Sequence, residues 1–386
     1  MDTFLGYERT NGSVGVRNHV AVIPTVACAN GVVGLIAREA PGAVPLFHGH
    51  GCGRAGRDLE LHVRTLTNLA KHPNVGAVLV VGLGCEVITA EFLASAIEES
   101  GKSVQSVVIQ EEGGSLKSAA KGKGVALGLI ESVGEQERAE IGIDRLVLGL
   151  ECGGSDAFSG ITANPAVGVV ADRLVEKGGT VILTENTEMI GTSHILERRA
   201  CTPDVAAEVK SMIQTAEQRT RDILGPFASM VIAPGNVDGG MSSIQEKSLG
   251  CIAKGGTSSI MQVVDYAGVP TSKGLVLMDA PGYDTESTAG LAASGAQVIL
   301  FTTGQGNPMG FPLVPVIKIA STSRLYRSME DDMDINAGAV LEGRSLSDVA
   351  ESIIKLLCRV LGGELSKAEK NEQGGIACLY VTGPSF

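Results

Sequence analysis

The stretch LECGGSDAFSGITANP, residues 150–165, follows an apolar run and carries a dense group of reactive side chains. The run RLVLGL, residues 145–150, has the apolar character of a strand buried inside a parallel sheet. A thiol, two glycines, a hydroxyl and a carboxylate follow within residues 152–156, and a helix is predicted over residues 163–177. In an open α/β sheet, ligands bind in such strand-to-helix turns. The stretch therefore predicts an α/β fold with functional side chains at this turn.

The same alternation of apolar strand, turn and helix recurs along the chain. Such repetition is typical of parallel sheets whose strands are joined by crossover helices. We therefore predict the α/β fold class, with mostly parallel sheets and crossover helices in two α/β lobes. The other predicted strands are 20–27, 43–47, 75–81, 104–109, 180–184, 230–233, 274–278, 298–302, 316–319 and 376–381, and the other predicted helices are 30–40, 58–71, 89–100, 203–224 and 345–362.

Residues 117–144 are less apolar and more charged than the segments on either side. A change of this kind favours a domain boundary. We predict an N-terminal α/β domain over residues 1–130 and a C-terminal α/β domain over residues 140–386. Residues 5–18 are interpreted as a polar, glycine-rich lead-in to the first strand.

The composition limits the class of protein. The 386-residue chain is 44% hydrophobic, which is typical of a globular protein with a sizeable core. Its net charge of −12, without a Lys/Arg-rich run, argues against a nucleic-acid partner. Residues 1–20 carry no signal-peptide core, and no apolar segment approaches the ~20 residues of a membrane span. We therefore expect a cytoplasmic protein with no membrane partner, whose eight cysteines are thiols or metal ligands.

Three cysteines, Cys52, Cys85 and Cys152, lie in separate glycine-flanked turns after predicted strands. Thiolates bind iron and zinc, and neighbouring glycines let a bulky metal or cluster approach the backbone. We predict these three cysteines as metal ligands, either of a single ion or of three corners of a [4Fe-4S] cluster. The alternative is that they are small apolar side chains filling crowded turns. The Cys-x-x-Cys pairing that would strengthen the metal prediction is absent from the sequence.

His48 and His50 flank a glycine next to Cys52, and side chains two residues apart on an extended segment face the same side. Because histidine exchanges protons near neutral pH, we predict His50 as the catalytic acid or base and His48 as a substrate-binding residue. The alternative is an ordinary packed or solvent-facing histidine. His62 and His72, on or just after a helix, are predicted to be ordinary surface residues.

Several carboxylates follow the ends of predicted strands, where they can bind cations or exchange protons with a substrate. Glu86 and Asp156 are favoured as catalytic residues because each neighbours a candidate cysteine. The alternative for each carboxylate is a helix cap or a turn-forming residue. The other members of this group are Glu185, Glu188, Asp279 and Asp284.

Two stretches resemble parts of nucleotide-binding sites. Residues 250–257, GCIAKGGT, resemble a phosphate loop, but Gly256 stands where the essential lysine belongs. Residues 278–282, MDAPG, resemble a metal-binding segment of nucleotide hydrolases, and without a true phosphate loop we disfavour that function. A nicotinamide enzyme is also disfavoured, because the first strand and helix are not joined by Gly-x-Gly-x-x-Gly. The backbone of residues 254–257 could still bind a carboxylate.

Taken together, these motifs resemble the sugar-acid dehydratases typified by altronate dehydratase and galactarate dehydratase. The resemblance covers nearly the whole chain, and the turn at residues 48–53 is most similar to the altronate branch. The matching stretches are GY at 6–7, GVRN at 15–18, HGHGCG at 48–53, HPNV at 72–75, VVGLGCE at 80–86, CGGSD at 152–156, GITANP at 160–165, EKSL at 246–249, KGGT at 254–257, MDAPGYD at 278–284 and FTTG at 301–304.

The resemblance implies a metal-dependent dehydratase that converts a 2,3-dihydroxy sugar acid, D-altronate above all, to a 2-keto-3-deoxy acid. It implies iron as cofactor, either Fe2+ or a [4Fe-4S] cluster, with Mn2+ as an alternative. Galactarate dehydration, carbon–sulfur lysis of sulfolactate and a scaffold role in such a complex stay open. The candidate residues for binding the anionic substrate are Arg17, His48, Ser155, Asn164, Lys247, Lys254 and Asp279.

The resemblance also implies partners. Family members often begin with a small β-rich domain, whereas this sequence starts directly at the core. That arrangement resembles the split form, in which a separate small β-rich subunit supplies the missing domain. We expect a homo-oligomer that acts on an anionic sugar acid.

Overall fold

The structure, a computed structural model, describes residues 2–226 and 231–383. The chain divides into two compact units. We call Leu5–Ile141, with Phe311–Val314 and residues 374–383, the N-terminal unit. The C-terminal unit comprises Gly142–Gly310 and Pro315–Gln373, with residues 2–4. Each unit has its own parallel sheet and helices, which confirms the predicted α/β class.

The elements of the first part of the chain alternate between strands and helices, as the sequence predicts. In chain order they are β1 (Thr3–Glu8), β2 (Val14–Gly15), β3 (His19–Pro24), α1 (Asn30–Glu39), β4 (Ala43–Pro45), α2 (Gly56–Ala70), β5 (Val75–Gly82), α3 (Ala90–Glu98), β6 (Ser103–Val108), α4 (Ser115–Gly134) and β7 (Ala139–Gly142). Strands β4-β3-β5-β6 form a four-stranded sheet in which all neighbours are parallel. The predicted lead-in contributes β1 and β2, which pair antiparallel in a small sheet ordered β2-β1-β7.

Helices α1 and α4 pack against each other and against the four-stranded sheet, around a core of aliphatic side chains. Helix α4 lies in the segment where the sequence predicted a domain boundary, and its glycines and charges concealed its helical pattern. Gly122 of α4 is needed for the packing, because a Cβ there would lie 2.4 Å from Cδ1 of Ile36. The glycine that weakens the sequence signal therefore permits the close approach of the two helices.

The C-terminal unit is built on a seven-stranded sheet whose neighbouring strands are all parallel. Its elements in chain order are β8 (Val147–Cys152), α5 (Ala163–Glu176), β9 (Thr180–Leu183), α6 (Ser193–Glu197), α7 (Pro203–Leu224), α8 (Pro234–Asp238), α9 (Ile244–Cys251), β10 (Ile260–Asp265), β11 (Gly274–Asp279), α10 (Asp284–Ala293), β12 (Val298–Thr303), β13 (Val316–Ala320), α11 (Ser323–Ser328), β14 (Ile335–Asn336), α12 (Leu346–Leu361) and α13 (Lys367–Lys370).

The strand order of this sheet is β10-β11-β9-β8-β12-β13-β14. The chain leaves β8 toward β9 on one side, and β12 lies on the other side, so the strand order reverses at β8. Ligands of open α/β sheets bind at the carboxyl ends of strands at such a reversal. The turn after β8, which carries residues 152–156, therefore occupies the expected position of a ligand site.

Two predicted strands need correction. Residue 230 lies outside the described residues, and residues 231–233 do not form a strand. The prediction of a strand over residues 376–381 is wrong, because those residues pair with no sheet. This segment is held instead by single contacts, such as the hydrogen bond of 2.7 Å from the Ala377 N–H to the Phe47 carbonyl. A short apolar run does not make a strand unless a sheet edge is available to pair with it.

Hydrophobic helices long enough to cross a bilayer do not occur among residues 2–226 and 231–383.

Candidate metal centre and active site

Cys152 ends β8, and its side chain is buried. The Cys152 thiol donates a hydrogen bond of 2.8 Å to Oε2 of Glu188, and its Sγ lies 3.4 Å from Sγ of Cys251. Each of these three buried side chains offers one ligand atom, and the three atoms lie within 4.8 Å of one another. Two thiols and a carboxylate at this spacing are a donor set that suits a divalent metal ion. We call Cys152, Glu188 and Cys251 the thiol–carboxylate centre.

Two separate segments bring the partners to Cys152. Cys251 is the last residue of α9, and Glu188 lies in the 3-10 turn Asn186–Met189 that follows β9. Between β9 and this turn, Glu185 has a left-handed backbone with φ of 72°, which is uncommon for a residue other than glycine. Its carboxylate accepts a hydrogen bond of 3.0 Å from the Cys152 N–H. Backbone strain of this kind concentrates at functional sites, which favours a functional role for the turn.

Two lysines, the partly buried Lys247 and the fully buried Lys254, balance the carboxylates around the thiols. Lys247 Nζ lies 2.5 Å from Oε1 of Glu188, and Lys254 Nζ lies 2.5 Å from Oε2 of Glu185. With both thiols protonated and both carboxylates ionised, the two carboxylates and two ammonium groups carry no net charge together. A divalent ion that replaces the two thiol protons leaves this balance unchanged. The electrostatics of the group therefore accommodate a divalent metal ion.

The thiols are poorly acidic without a metal ion. Burial raises the pKa of the Cys152 thiol well above its usual value. The hydrogen bond with Cys152 lowers the pKa of Cys251, but burial and the nearby Glu188 outweigh it and raise that pKa overall. Burial opposes ionisation of Glu188, yet Lys247 lowers its pKa, whereas burial and Glu188 raise the pKa of Glu185 to about 7. Metal binding would thus displace thiol protons.

The predicted site residues next to Cys152 have different environments. The Ser155 hydroxyl lies 3.5 Å from Sγ of Cys152, at the edge of the thiol–carboxylate centre. Asp156 closes its own turn, because its Oδ1 accepts hydrogen bonds of 2.8 Å from both the N–H and the hydroxyl of Ser159. Its Oδ2 accepts a third, of 3.0 Å, from the Ser321 hydroxyl. These bonds favour the turn-forming alternative for Asp156.

Asn164 and Asp279, predicted to bind substrate, are also engaged within the protein. Asn164 Nδ2 donates to the Gly250 carbonyl at 3.0 Å, and its Oδ1 accepts from the Thr302 hydroxyl at 2.6 Å. This amide therefore links α5 to the residue that precedes Cys251 in α9. Asp279 accepts a hydrogen bond from Nδ2 of Asn186, the first residue of the turn that carries Glu188.

Glu86, in the N-terminal unit, folds back on the turn that carries Cys85. Its carboxylate accepts hydrogen bonds of 3.0 and 2.6 Å from the N–H groups of Leu83 and Gly84, and one of 2.6 Å from the Thr25 hydroxyl. Burial would raise the pKa of Glu86, but these hydrogen bonds lower it. This environment suits a fixed, ionised turn-forming carboxylate.

His48 braces the turn in which it was predicted to bind substrate. Its Nε2 lies 2.8 Å from the Pro24 carbonyl, and its Nδ1 accepts a hydrogen bond of 3.2 Å from the N–H of His50. The two contacts together place the proton of neutral His48 on Nε2. Burial lowers the pKa of His48. His50 is half-buried, and its ring centroid lies 4.9 Å from that of His62.

The prediction that His62 and His72 are surface residues is wrong. The exposed fraction is 0% for His62 and 1% for His72. His72 accepts a hydrogen bond of 3.0 Å from the N–H of Asn74. Both ring nitrogens of His62 lack a hydrogen-bond partner in the described part of the chain. Helix α2 is amphipathic, and His62 lies on its inward face beside Leu61 and Leu66, a placement that polarity alone did not reveal.

The remaining predicted residues lie in the N-terminal unit. Cys52 and Cys85 are exposed. Arg17 is buried, and its guanidinium donates a hydrogen bond of 3.0 Å to the Val16 carbonyl. The structure thus brings together Cys152, Ser155, Lys247 and Lys254 of the predicted set.

Cys251 and Glu188 complete the centre and Glu185 lies beside it, but none of the three is among the site residues predicted from the sequence. Glu185 and Glu188 were recognised as strand-end carboxylates, yet neither neighbours a cysteine in sequence. Cys251 lies in residues 250–257, which resemble a phosphate loop but have Gly256 in place of the essential lysine. The sequence signal that could have revealed Cys251 is the glycine that precedes it. Cys152 is likewise next to a glycine, which in its case follows the cysteine.

A buried thiol–carboxylate centre at the reversal point of a parallel sheet defines the class: an α/β protein with a candidate metal-dependent active site. Comparison with known families agrees with this class. Residues 143–382 match the family described as D-galactarate/Altronate dehydratase, C-terminal. Residues 6–134 match the family described as D-galactarate dehydratase/Altronate hydrolase, second domain. The chain belongs to the galactarate/altronate dehydratase family, a family of hydro-lyases.

Individual relatives cover most of the chain. Altronate dehydratase of Bacillus subtilis is 36% identical over 381 residues, which are 96% of this chain and 76% of that protein. The (2R)-sulfolactate sulfo-lyase subunit beta of Chromohalobacter salexigens is 34% identical, over 95% of this chain and 94% of that protein. Galactarate dehydratase (L-threo-forming) of Escherichia coli is 33% identical, over 97% of this chain and 75% of that protein.

Proposed function

We propose that the chain is a metal-dependent hydro-lyase that converts D-altronate, a 2,3-dihydroxy sugar acid, to a 2-keto-3-deoxy acid. The observation that carries this proposal is the thiol–carboxylate centre at the carboxyl end of β8 in a chain of this family. Identity of 36% with an altronate dehydratase supports the choice of altronate. Galactarate is the alternative sugar acid, with a relative at 33% identity.

Cys152, Glu188 and Cys251 would hold the metal ion. Two sulfur donors favour Fe2+ over Mn2+, which prefers oxygen ligands. A bound divalent ion supplies positive charge that stabilises the negative charge developing on the substrate when the proton next to the carboxylate leaves. The [4Fe-4S] cluster held by Cys52, Cys85 and Cys152 stays a prediction, and its broad visible absorption would distinguish it from a single ion.

The chain must also move two protons during dehydration. One leaves C2, next to the substrate carboxylate, and one reaches the departing C3 hydroxyl. His50 remains the predicted acid or base of the N-terminal unit, because it is half-buried and a histidine exchanges protons near neutral pH. The hydrogen bonds of Glu86 and Asp156 support roles in holding the turns that carry Cys85 and Cys152.

The test uses full-length protein purified without oxygen in the presence of a reductant. We expect bound iron, no broad visible absorption, and formation of a 2-keto acid from D-altronate faster than from galactarate. Absence of keto-acid formation from every sugar acid tested, with iron bound, would overturn the proposal.

Carbon–sulfur lysis is a second candidate, favoured by the 34% identity with a sulfolactate sulfo-lyase subunit. Sulfite release from sulfolactate, measured on the same preparation, separates it from dehydration.

We also propose that a small β-rich subunit binds this chain. The relative from Chromohalobacter salexigens is itself named as a subunit, which supports this proposal. Co-expression with a candidate small subunit, followed by size-exclusion chromatography, tests this partnership.

A further inference from the structure

A row of buried side chains crosses three neighbouring strands of the large sheet. Phe301 of β12 is paired in register with Glu151 of β8 on one side and with Lys318 of β13 on the other. Residues paired in this way project from the same face of the sheet. All three are fully buried. Because side chains alternate along a strand, Glu151 faces away from the side of β8 on which Cys152 meets Cys251.

The ammonium group of Lys318 has an unusual environment for a buried charge. Its Nζ lies 3.2 Å from the centroid of the Phe301 ring and lacks a hydrogen-bond partner within residues 2–226 and 231–383. Glu151 Oε2 accepts a hydrogen bond of 2.5 Å from the Ser287 hydroxyl, whereas its Oε1 has no partner in that same part of the chain. An unpaired buried amine destabilises a protein. Its presence therefore points to a role other than stability.

Asp284, the first residue of α10, lies beside this row at the end of β8. A Cβ on Gly153 would lie 2.0 Å from Oδ2 of Asp284 and 2.7 Å from Cζ of Phe301, so the carboxylate packs directly over the turn that follows Cys152. Asp284 is half-buried, and Asn307 Nδ2 donates a hydrogen bond of 2.7 Å to its Oδ2. The Asp284 carboxylate is therefore held in one orientation by Asn307 and stays partly exposed.

The electrostatics couple Lys318 to Asp284. Burial lowers the pKa of Lys318 to about 7, and Asp284 is the strongest of the carboxylates that oppose this shift. Burial and Glu188 raise the pKa of Asp284, whereas Lys318 lowers it. The buried amine of Lys318 therefore acts as a counter-charge of the Asp284 carboxylate, which packs over Gly153, the residue that follows Cys152.

We propose that Asp284 is a catalytic residue that exchanges a proton with the substrate, and that Lys318 is a positioning residue that acts through Asp284. This inference rests on the proposed hydro-lyase function. The Asp284 carboxylate accepts the C2 proton as the electron pair of the C–H bond moves toward the substrate carboxylate. The electron pair then returns from the substrate carboxylate to form the C2=C3 double bond as the C3–O bond breaks, and the same proton passes from Asp284 to the departing hydroxyl, which leaves as water. In this proposal Asp284 makes both transfers, in place of the role predicted for His50. The enol that remains moves its hydroxyl proton to C3 through solvent and becomes the keto acid.

The test is a double-mutant cycle in the full-length, metal-loaded protein. Asp284→Asn lowers kcat about 100-fold or more, because it removes an acid–base group. Lys318→Met lowers kcat about 10-fold or more, leaves KM within about 3-fold and does not lower Tm, because it removes an unpaired buried charge. The double variant is no slower than Asp284→Asn alone, within about 3-fold, since Lys318 acts through Asp284. Full kcat in either single variant, or additive losses in the double variant, would overturn the inference.

A matched control shows whether the loss of any lysine from this unit lowers kcat, or only the loss of Lys318. Lys273→Met removes an exposed lysine of the same unit, paired with Asp144 at 2.7 Å, and leaves kcat unchanged. Should Lys318→Met fail to fold, Asn307→Ala is the second variant, because it removes the side chain that donates a hydrogen bond to Asp284 from a half-buried loop. It is expected to lower kcat with little change in KM. Full kcat in Asn307→Ala would then overturn the inference. Metal content is measured for every variant and is expected to stay at the wild-type level. A wild-type protein inactive on all sugar acids refutes the proposed function itself, whereas an active wild type with a fully active Asp284→Asn refutes only this inference.

Discussion

Cys85 follows β5 in the N-terminal unit and Cys152 ends β8 in the C-terminal unit, and both lie in glycine-flanked turns. Cys85 is exposed, whereas Cys152 is buried against Glu188 and Cys251. Beside Cys85, the carboxylate of Glu86 accepts hydrogen bonds from backbone N–H groups of its own turn. Beside Cys152, other segments deliver a second thiol, that of Cys251, and the Glu188 carboxylate, which bonds to the Cys152 thiol. The same local signature therefore becomes a candidate metal centre only where distant segments add further donors.

The largest expected effect comes from removing the donor that a distant segment supplies. Cys251→Ser should lower metal affinity at least ~100-fold, because the metal ion loses a thiolate ligand. Substitution of residues that only contact the ligands has a smaller effect. Cys85→Ser should leave metal affinity unchanged. Elemental analysis of the two variants after gel filtration measures the difference. Equal metal loss in both would break the comparison and support the predicted three-cysteine cluster.

Alanine substitutions in two glycine turns sharpen the comparison next. Gly153→Ala should lower the free energy of unfolding by about 3 kcal/mol, at the upper end of overpacking effects, because its Cβ would overlap Asp284 and Phe301. Gly49→Ala, where a Cβ would have no atom within 4 Å, should change it by less than about 0.5 kcal/mol. Thermal unfolding of both variants measures this. If Gly153→Ala is as stable as Gly49→Ala, the turn after β8 is less crowded than the structure shows.

The buried His62, whose ring lies next to that of His50, should make the N-terminal unit sensitive to acid. Burial, with a smaller contribution from His50, lowers the pKa of His62 to about 4, below the ~6.5 of an unfolded histidine. The unfolded state therefore binds the proton more strongly, so stability is complete above pH ~6.5 and is lost as pH falls toward 4. At pH 5 the loss should be on the order of 2 kcal/mol. The fall in Tm between pH 7.5 and 5 should be smaller in His62→Phe than in wild type, and unchanged in the exposed control His194→Ala.

The smallest effect concerns Glu86, a predicted catalytic residue that closes a turn. Glu86→Gln should lower the free energy of unfolding by about 1 kcal/mol, because the amide accepts fewer hydrogen bonds than the carboxylate. The value of kcat should stay within about 3-fold of wild type. A loss of kcat of about 100-fold without a change in Tm would instead show that Glu86 exchanges a proton with the substrate, as its position beside Cys85 predicted.

Local patterns were predictable and distant contacts were not. The apolar runs that became β5, β8 and β12 were recognised because continuous apolar character marks a strand buried in a parallel sheet. Helix α4 was overlooked because its glycines, which permit close packing, weaken the helical pattern. His62 was misplaced because polarity alone does not show which face of a helix turns inward.

The turn after β8 shows the same division within one site. The apolar run before Cys152 and the glycines after it determined, from the sequence alone, that a thiol stands at the carboxyl end of a strand. Only the tertiary structure decided that Cys251, 99 residues away, would face that thiol at 3.4 Å, with Glu188 as the third donor. Strand formation depends on neighbouring residues, whereas a metal centre depends on which segments the strand order and the helix packing bring to the same strand end.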